Sequence, residues 1–305
     1  EIIGDFGSLR GSRWAARTAT LPDEEPIAWR ESARSITGSP RYLCYLFLLL
    51  EIPLILVCIG ISSSSSSRSG GGWTADVFAL MQIGLWIAVV LAVSARAASV
   101  FSSERSHQTF DLLMTTPLST REILFQKMWS VGKLILVCWL LMATLNLADY
   151  FWLDSQVSWA SRRNGSYQFS NTMPGLRLVC SMITLSIYLP MVALLSLLIG
   201  IRAKNQVRAL FGSIVALVGW CVGPLLLLLP LTIMQGSRQL FKELLVFSPM
   251  MIIPFNQFHD LDDLGGEPVT AVIRNSLLYL IVTIGLGIAV WTTADRALGR
   301  MSEKK

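Results

Sequence analysis

Long apolar stretches alternate with short polar segments along the whole chain. An apolar run of about 20 residues can cross the roughly 30 Å hydrocarbon core of a membrane as an α-helix. Six stretches meet this requirement and predict membrane-spanning helices over residues 42–62, 74–100, 128–151, 176–200, 208–234 and 270–293. The pattern therefore predicts an all-α, polytopic membrane protein with six transmembrane helices.

Composition supports a membrane protein. Of the 305 residues, 53% are hydrophobic and only 15% are charged, whereas soluble domains carry about 25% charged residues. The cysteines lie inside the predicted spans, at Cys44, Cys58, Cys138, Cys180 and Cys221. They lack the close Cys/His spacing of a zinc site, so we interpret them as small buried apolar residues. No metal site and no cofactor is predicted.

Lysine and arginine are unevenly shared between the loops, and cytoplasmic loops are the ones enriched in them. The richer set is Arg30, Arg34, Arg41, Arg96, Arg105, Arg121, Lys127, Arg202, Lys204, Arg208, Arg296, Arg300, Lys304 and Lys305. The opposite loops carry fewer, at Arg68, Arg162, Arg163, Arg238 and Lys242. We therefore expect both termini in the cytoplasm, with an N-terminal and interfacial segment at 1–41 and a short tail at 301–305.

A polar, helix-forming segment separates the second span from the third, where a short turn would suffice. Residues 104–115 predict an amphipathic helix, with Phe110 and Leu113 on its apolar side and Glu104 and Arg105 on its polar side. Helices that lie on lipid are usually basic on their polar face. The mixed charge of this face favours a protein partner instead.

The same segment contains signals for a break and a second helix. Pro117 ends the first helix, because the residue before a proline is driven out of the α conformation. Residues 119–122 match a capping box, which satisfies the free backbone N–H groups at a helix start. The predicted layout is a helix, a proline turn and a capped helix that runs into the third span.

The segment before the last span is too apolar for a free loop. Residues 239–258 are mostly hydrophobic but are interrupted by Pro249 and Pro254. An interrupted stretch of this length does not cross a bilayer comfortably. It predicts short re-entrant helices that dip into the outer leaflet.

The residues between the second and third spans resemble the signature of ABC type-2 transporter permeases. The matching positions are Glu104, Thr109, Leu112, Leu113, Thr116, Pro117, Leu118, Ser119, Glu122, Ile123 and Lys127. Residues 26–31 also look like the interfacial segment that precedes the first span in some bacterial members. The resemblance extends over residues 26–300 and identifies 42–300 as a six-span permease domain.

The resemblance implies the transmembrane subunit of an ATP-binding-cassette exporter in a bacterial inner (plasma) membrane. It implies that residues 104–115 form a coupling helix seated on a separate ATPase subunit, with a smaller contact at 201–207. A second permease copy or a sister permease would complete the pathway. The residues to which it assigns coupling are Glu104, Arg105, Thr109, Phe110, Leu113, Thr116, Pro117, Glu122 and Lys127.

The chain itself is not expected to be an enzyme. It has no Gly-x-x-x-x-Gly-Lys-Ser/Thr loop, and the pair Gly132–Lys133 lacks the upstream glycine. ATP hydrolysis is therefore expected on the separate subunit. Membrane lipids are predicted partners, and nucleic acid is not.

Glu51 lies in the middle of the first predicted span. A carboxylate is costly in hydrocarbon and suggests a functional site by default. It could face a polar pathway, pair with Lys133 or be protonated, and a structural role stays open. Glu51 also keeps an ion-gradient-driven secondary transporter as an alternative. A third hypothesis is that the protein is a membrane scaffold or sensor that does not transport.

The predicted orientation is testable by thiol labelling. In a chain whose own cysteines have been replaced, His107→Cys and Arg121→Cys should react with a membrane-impermeant maleimide from the cytoplasmic side only. Ser166→Cys, in the third loop, should react only from the opposite side. Labelling of position 107 from the outer side would contradict both the orientation and a docking role for this segment.

Overall fold

The computed structural model describes residues 40–64, 71–106, 120–164, 174–235 and 268–302. Their helices are α1 (Pro40–Ser64), α2 (Gly71–Ser106), α3 (Thr120–Asn164), α4 (Pro174–Arg202), α5 (Gln206–Gln235) and α6 (Pro268–Ser302). Each contains a stretch long and apolar enough to cross a membrane. The predicted all-α architecture with six membrane-spanning helices is confirmed.

Several helices extend beyond the predicted spans. α3 continues to Asn164, so residues 152–164, expected in a loop, are helical. No proline or glycine interrupts this stretch, and those residues are the ones that most strongly break a helix. α2 continues to Ser106, which places Glu104 and Arg105 in its last turn. The rest of the predicted coupling helix, and the predicted re-entrant helices, lie outside the described residues.

α4 is the centre of the bundle. It packs most extensively against α2 and α6 and also contacts α3 and α5. Half of its apolar window is buried, against 11% for α1. α1 has its main contact with α3 and lies at the edge of the bundle, so its outer face meets lipid.

Four aromatic rings from four helices meet at the middle of the bundle. Tyr188 of α4 lies 6.4 Å from Trp86 of α2 and 4.9 Å from Tyr279 of α6, between ring centroids. Trp220 of α5 lies 6.2 Å from Tyr279. The buried hydroxyl of Tyr188 donates a hydrogen bond of 2.6 Å to Oδ1 of Asn275 on α6. This bond ties α4 to α6, because a hydroxyl without a partner is costly inside a membrane.

α2 and α4 run parallel and approach each other closely at Gly200. A Cβ atom added to Gly200 would lie 2.6 Å from the carbonyl oxygen of Ala98. Small residues at helix interfaces allow backbones to approach in this way. Ala98 follows Trp86 by twelve residues, and Gly200 follows Tyr188 by the same number. The two contacts therefore fix α2 and α4 in a parallel register.

The two ends of the bundle differ in their connections. α4 turns sharply into α5, with the Ala203 N–H donating to the Ile199 carbonyl at 2.9 Å and the Ala209 N–H donating to the Asn205 carbonyl at 3.0 Å. This turn lies at the same end as the last turn of α2 and the first turn of α3. We call this the junction end, and the opposite end, where α1 and α3 finish and α4 begins, the far end.

Gly200→Ala should destabilise the bundle. The added methyl group would meet a backbone oxygen that cannot rotate away, and overpacking of this kind costs about 1–3 kcal/mol. The free energy of unfolding in detergent micelles is the measurement. Gly219→Ala on α5 is the matched control, since its Cβ would have no atom within 4 Å. Equal effects of the two changes would show that the α2–α4 contact does not require glycine.

Candidate functional site

The residues assigned to coupling are only partly described by the structure. Thr109, Phe110, Leu113, Thr116 and Pro117 lie outside the described residues. Glu104 and Arg105 are described as backbone in the last turn of α2. Glu122 is exposed in the first turn of α3. That helix begins at Thr120, directly after the first residue of the predicted capping box.

Lys127 occupies a different environment from Glu122. Its side chain is fully buried, and its Nζ lies 3.5 Å from the Val100 carbonyl oxygen and 4.6 Å from the centre of the Phe101 ring. An ammonium over an aromatic face is attracted by the ring's quadrupole. Lys127 therefore ties the start of α3 to the end of α2, and its ammonium is enclosed by the chain itself.

The contact made by Lys127 continues into α4. Two residues after Val100, Ser102 is fully buried and donates through Oγ to the Ala98 carbonyl at 2.8 Å. The same carbonyl oxygen faces Gly200 of α4. α3, α2 and α4 are thus linked through adjacent turns of α2 at the junction end.

Glu51 is 5% exposed, and neither carboxylate oxygen has a hydrogen-bond partner among the described residues. Of the three environments left open by the sequence, a pairing with Lys133 is not formed within the described helices.

A hydrogen-bonded pair that the sequence analysis missed joins α2 to α3. Nε2 of Gln82 donates to Oδ1 of Asn146 at 2.7 Å, and Nδ2 of Asn146 donates to the Met142 carbonyl at 2.7 Å. Because a carbonyl can only accept, the Met142 contact fixes the orientation of both amides. Oε1 of Gln82 is then an acceptor with no partner among the described residues.

An ion pair that the sequence analysis also missed joins α3 to α4. Asp149 lies 3.5 Å from Arg177, and each side chain is 10% exposed. Asp149 follows Asn146 by three residues, so both lie on one face of α3. The sequence did carry a signal for these contacts. Asn146 and Asp149 are polar residues at helical spacing inside an apolar run, and such residues usually face the interior of a helix bundle.

Among the residues that the structure describes, the polar contacts between α2, α3 and α4 comprise a pair of amides and one ion pair. Within the five described ranges, no three His, Cys, Asp or Glu side chains are grouped so that they could hold a metal ion. No protein-family model and no curated protein matches this chain.

The Asp149–Arg177 pair should show strong coupling in a double-mutant cycle. Asp149→Asn should destabilise the protein by roughly 3 kcal/mol, because it removes a negative charge that lies 3.5 Å from a buried guanidinium. Arg177→Gln added to that variant should restore most of the loss. Unfolding in detergent measures Asp149→Asn alone, Arg177→Gln alone and the double variant.

Asp154→Asn is the control for this cycle, since Asp154 is an exposed carboxylate on the same helix. It should change stability by less than about 0.5 kcal/mol. Additive effects of the two single changes at 149 and 177 would mean that their charges do not interact.

Proposed function

We propose that this chain is the transmembrane permease subunit of an ABC exporter, driven by a separate ATPase subunit. The observation that carries the proposal is the location of the signature between α2 and α3, with its last residue, Lys127, enclosed where the two helices meet. The end of α2 and the start of α3, which flank this segment, lie at the same end of the bundle as the α4–α5 turn. The resemblance assigns ATPase contacts to these same two segments.

The packing at the junction end offers a route for the motion. A displacement of residues 107–119 acts on the last turn of α2 and the first turn of α3, which Lys127 holds together. α2 then acts on α4 through Ala98 and Gly200. Since α4 contacts α2, α3, α5 and α6, a shift of α4 changes the packing of the whole bundle.

In this mechanism the ATPase supplies the free energy and the permease supplies two packings. Nucleotide binding can favour one packing of the permease only if the nucleotide-bound ATPase binds that packing more tightly than the other. The cargo pathway forms between this chain and a second permease copy or a sister permease. Lys127 acts as a positioning residue. Its buried ammonium holds the start of α3 to the end of α2 and does not contact the ATPase.

A second candidate, an ion-gradient-driven transporter, is favoured by Glu51. A buried carboxylate in mid-span with no partner among the described residues is typical of ion and proton pathways. The two candidates differ in their energy source. Transport that stops when the ion gradient is collapsed, while ATP persists, would favour this second function.

The permease function is tested by co-purification from native membranes. The tagged chain should retain a protein that carries a nucleotide-binding loop, and the complex should hydrolyse ATP. Phe110→Asp or Glu104→Lys should reduce the retained ATPase by about tenfold, which corresponds to about 1.4 kcal/mol of lost contact. Arg274→Gln, an exposed change on α6 near the far end, should leave it unchanged.

The same preparation separates docking from transmission. Lys127→Met keeps the apolar stem and removes the buried charge, so the ATPase should still be retained while ATP-driven transport falls. Retention of no ATPase by the unaltered chain, or equal retention by the Phe110→Asp variant, would overturn the proposed function.

A further inference from the structure

The turn between α4 and α5 carries a concentrated positive charge. Arg202, Lys204 and Arg208 fall within seven consecutive residues, and all three side chains are exposed. None of them forms an ion pair or a hydrogen bond within the part of the chain that the structure describes. We call these three residues the basic turn. Their charges are open to a partner outside the chain.

No acidic side chain on the two helices offsets this charge. Neither α4 nor α5 contains Asp or Glu, and the sequence has none from residue 155 to residue 242. The other basic residue of α4, Arg177, lies at the far end and is paired with Asp149. A surface of one sign attracts anions and repels a surface of the same charge. The basic turn therefore suits an anionic partner.

The basic turn adjoins an exposed apolar face of α5. Val207, Phe211, Val215 and Val218 are each more than half exposed, and their spacing of three or four residues places them on one face of the helix. Arg208 precedes Phe211 by three residues and Val215 by seven, so it belongs to the same face. One surface thus combines a cationic end with an apolar stripe, and an anionic phospholipid has the complementary two parts.

The charge of Arg208 lies at the depth of membrane headgroups. The apolar stretch of α5 that could cross a membrane runs over Gln206–Gly223, and Arg208 is its third residue. Helical side chains lean toward the N-terminus of their helix, which directs this long side chain away from the hydrocarbon core. Arginine and lysine near the end of a span reach the headgroup level in this way.

Two other occupants of this surface fit less well. A soluble ATPase approaches from water, so it does not cover Phe211 and Val215, which lie inside the apolar stretch of α5. A second copy of this chain, related by a twofold axis, would present the same patch. Its basic turn would then face an identical one, and like charges repel.

We propose that the basic turn and the adjoining face of α5 bind an anionic phospholipid from the leaflet at the junction end. The lipid phosphate interacts with Lys204 and Arg208, and the acyl chains lie along Phe211 and Val215. Phosphate oxygens accept hydrogen bonds, which guanidinium and ammonium groups donate. This lipid binding does not rest on the proposed permease function.

The test compares two phospholipids that have the same acyl chains. Phosphatidylglycerol carries a net negative charge, and phosphatidylcholine carries none. The purified full chain is titrated with each lipid in an uncharged detergent, without ATPase or nucleotide, and bound lipid is measured by native mass spectrometry. Phosphatidylglycerol should bind at least about tenfold more tightly, because each Lys or Arg near a membrane surface strengthens the binding of an anionic lipid by about fivefold.

Four variants assign the binding to the basic turn. Arg208→Gln should weaken phosphatidylglycerol binding by about fivefold and leave phosphatidylcholine binding unchanged. Arg208→Lys keeps the charge and should retain the binding. Lys204→Gln combined with Arg208→Gln should remove most of the preference for phosphatidylglycerol. Arg296→Gln is the control and should change nothing. It removes an exposed charge of α6 at the same end of the bundle, because α6 runs parallel to α4.

Equal binding of the two lipids by the unaltered chain would overturn the proposal. Equal losses in Arg208→Gln and Arg296→Gln would also overturn it, because they would show a general attraction to the positive end of the bundle. Glycerophosphoglycerol, the same headgroup without acyl chains, should not displace the lipid. Full displacement at equal concentration would show that the site takes a free phosphate ester and not a lipid.

A protein contact at the basic turn would give a different result. Arg208→Gln would then keep its phosphatidylglycerol but lose the ATPase in the co-purification from native membranes, and the lipid proposal would be wrong. The lipid assay contains no ATPase. A negative result in it therefore leaves the permease function untouched, and failed ATPase capture leaves lipid binding untouched.

Discussion

The close packing of α4 against α2 and α6 is the interaction on which the rest of the bundle depends. Lipid chains are as apolar as leucine side chains, so burial from water does not hold membrane helices together; van der Waals contact and hydrogen bonds do. The close approach of Gly200 to the Ala98 carbonyl supplies van der Waals contact. Tyr188 supplies a hydrogen bond, which its hydroxyl donates to Asn275. Both lie on α4, which therefore positions the helices around it.

The two ends of the bundle have different chemistry, and this difference suggests a division of roles. The junction end is closely packed, with Lys127 and Ser102 buried between backbone groups and an aromatic ring. The far half contains the polar pairs between α2, α3 and α4 and an apolar groove beside α1. A rigid junction suits the transmission of force from a partner.

The burial of polar side chains separates what could be predicted from what could not. Glu51 stands out in the sequence because a carboxylate in mid-span is rare, and it proved to be buried. Lys127 sits among surface-type signature residues, yet its side chain is fully buried. The hydrogen bond between Gln82 and Asn146 was not predicted, because it joins residues 64 positions apart. Pairings of this range depend on which helices are neighbours, and periodicity along one helix does not specify that.

The sequence by itself determined the number of spans, their approximate limits and the start of α3 at Thr120, because apolar length and capping are local properties. Only the tertiary structure decided that α4 is central, that α1 is peripheral and that an apolar groove lies between α1 and α3. The physical reason is that all six apolar helices satisfy the membrane equally well on their own. A few close contacts and polar pairs between distant residues select their arrangement.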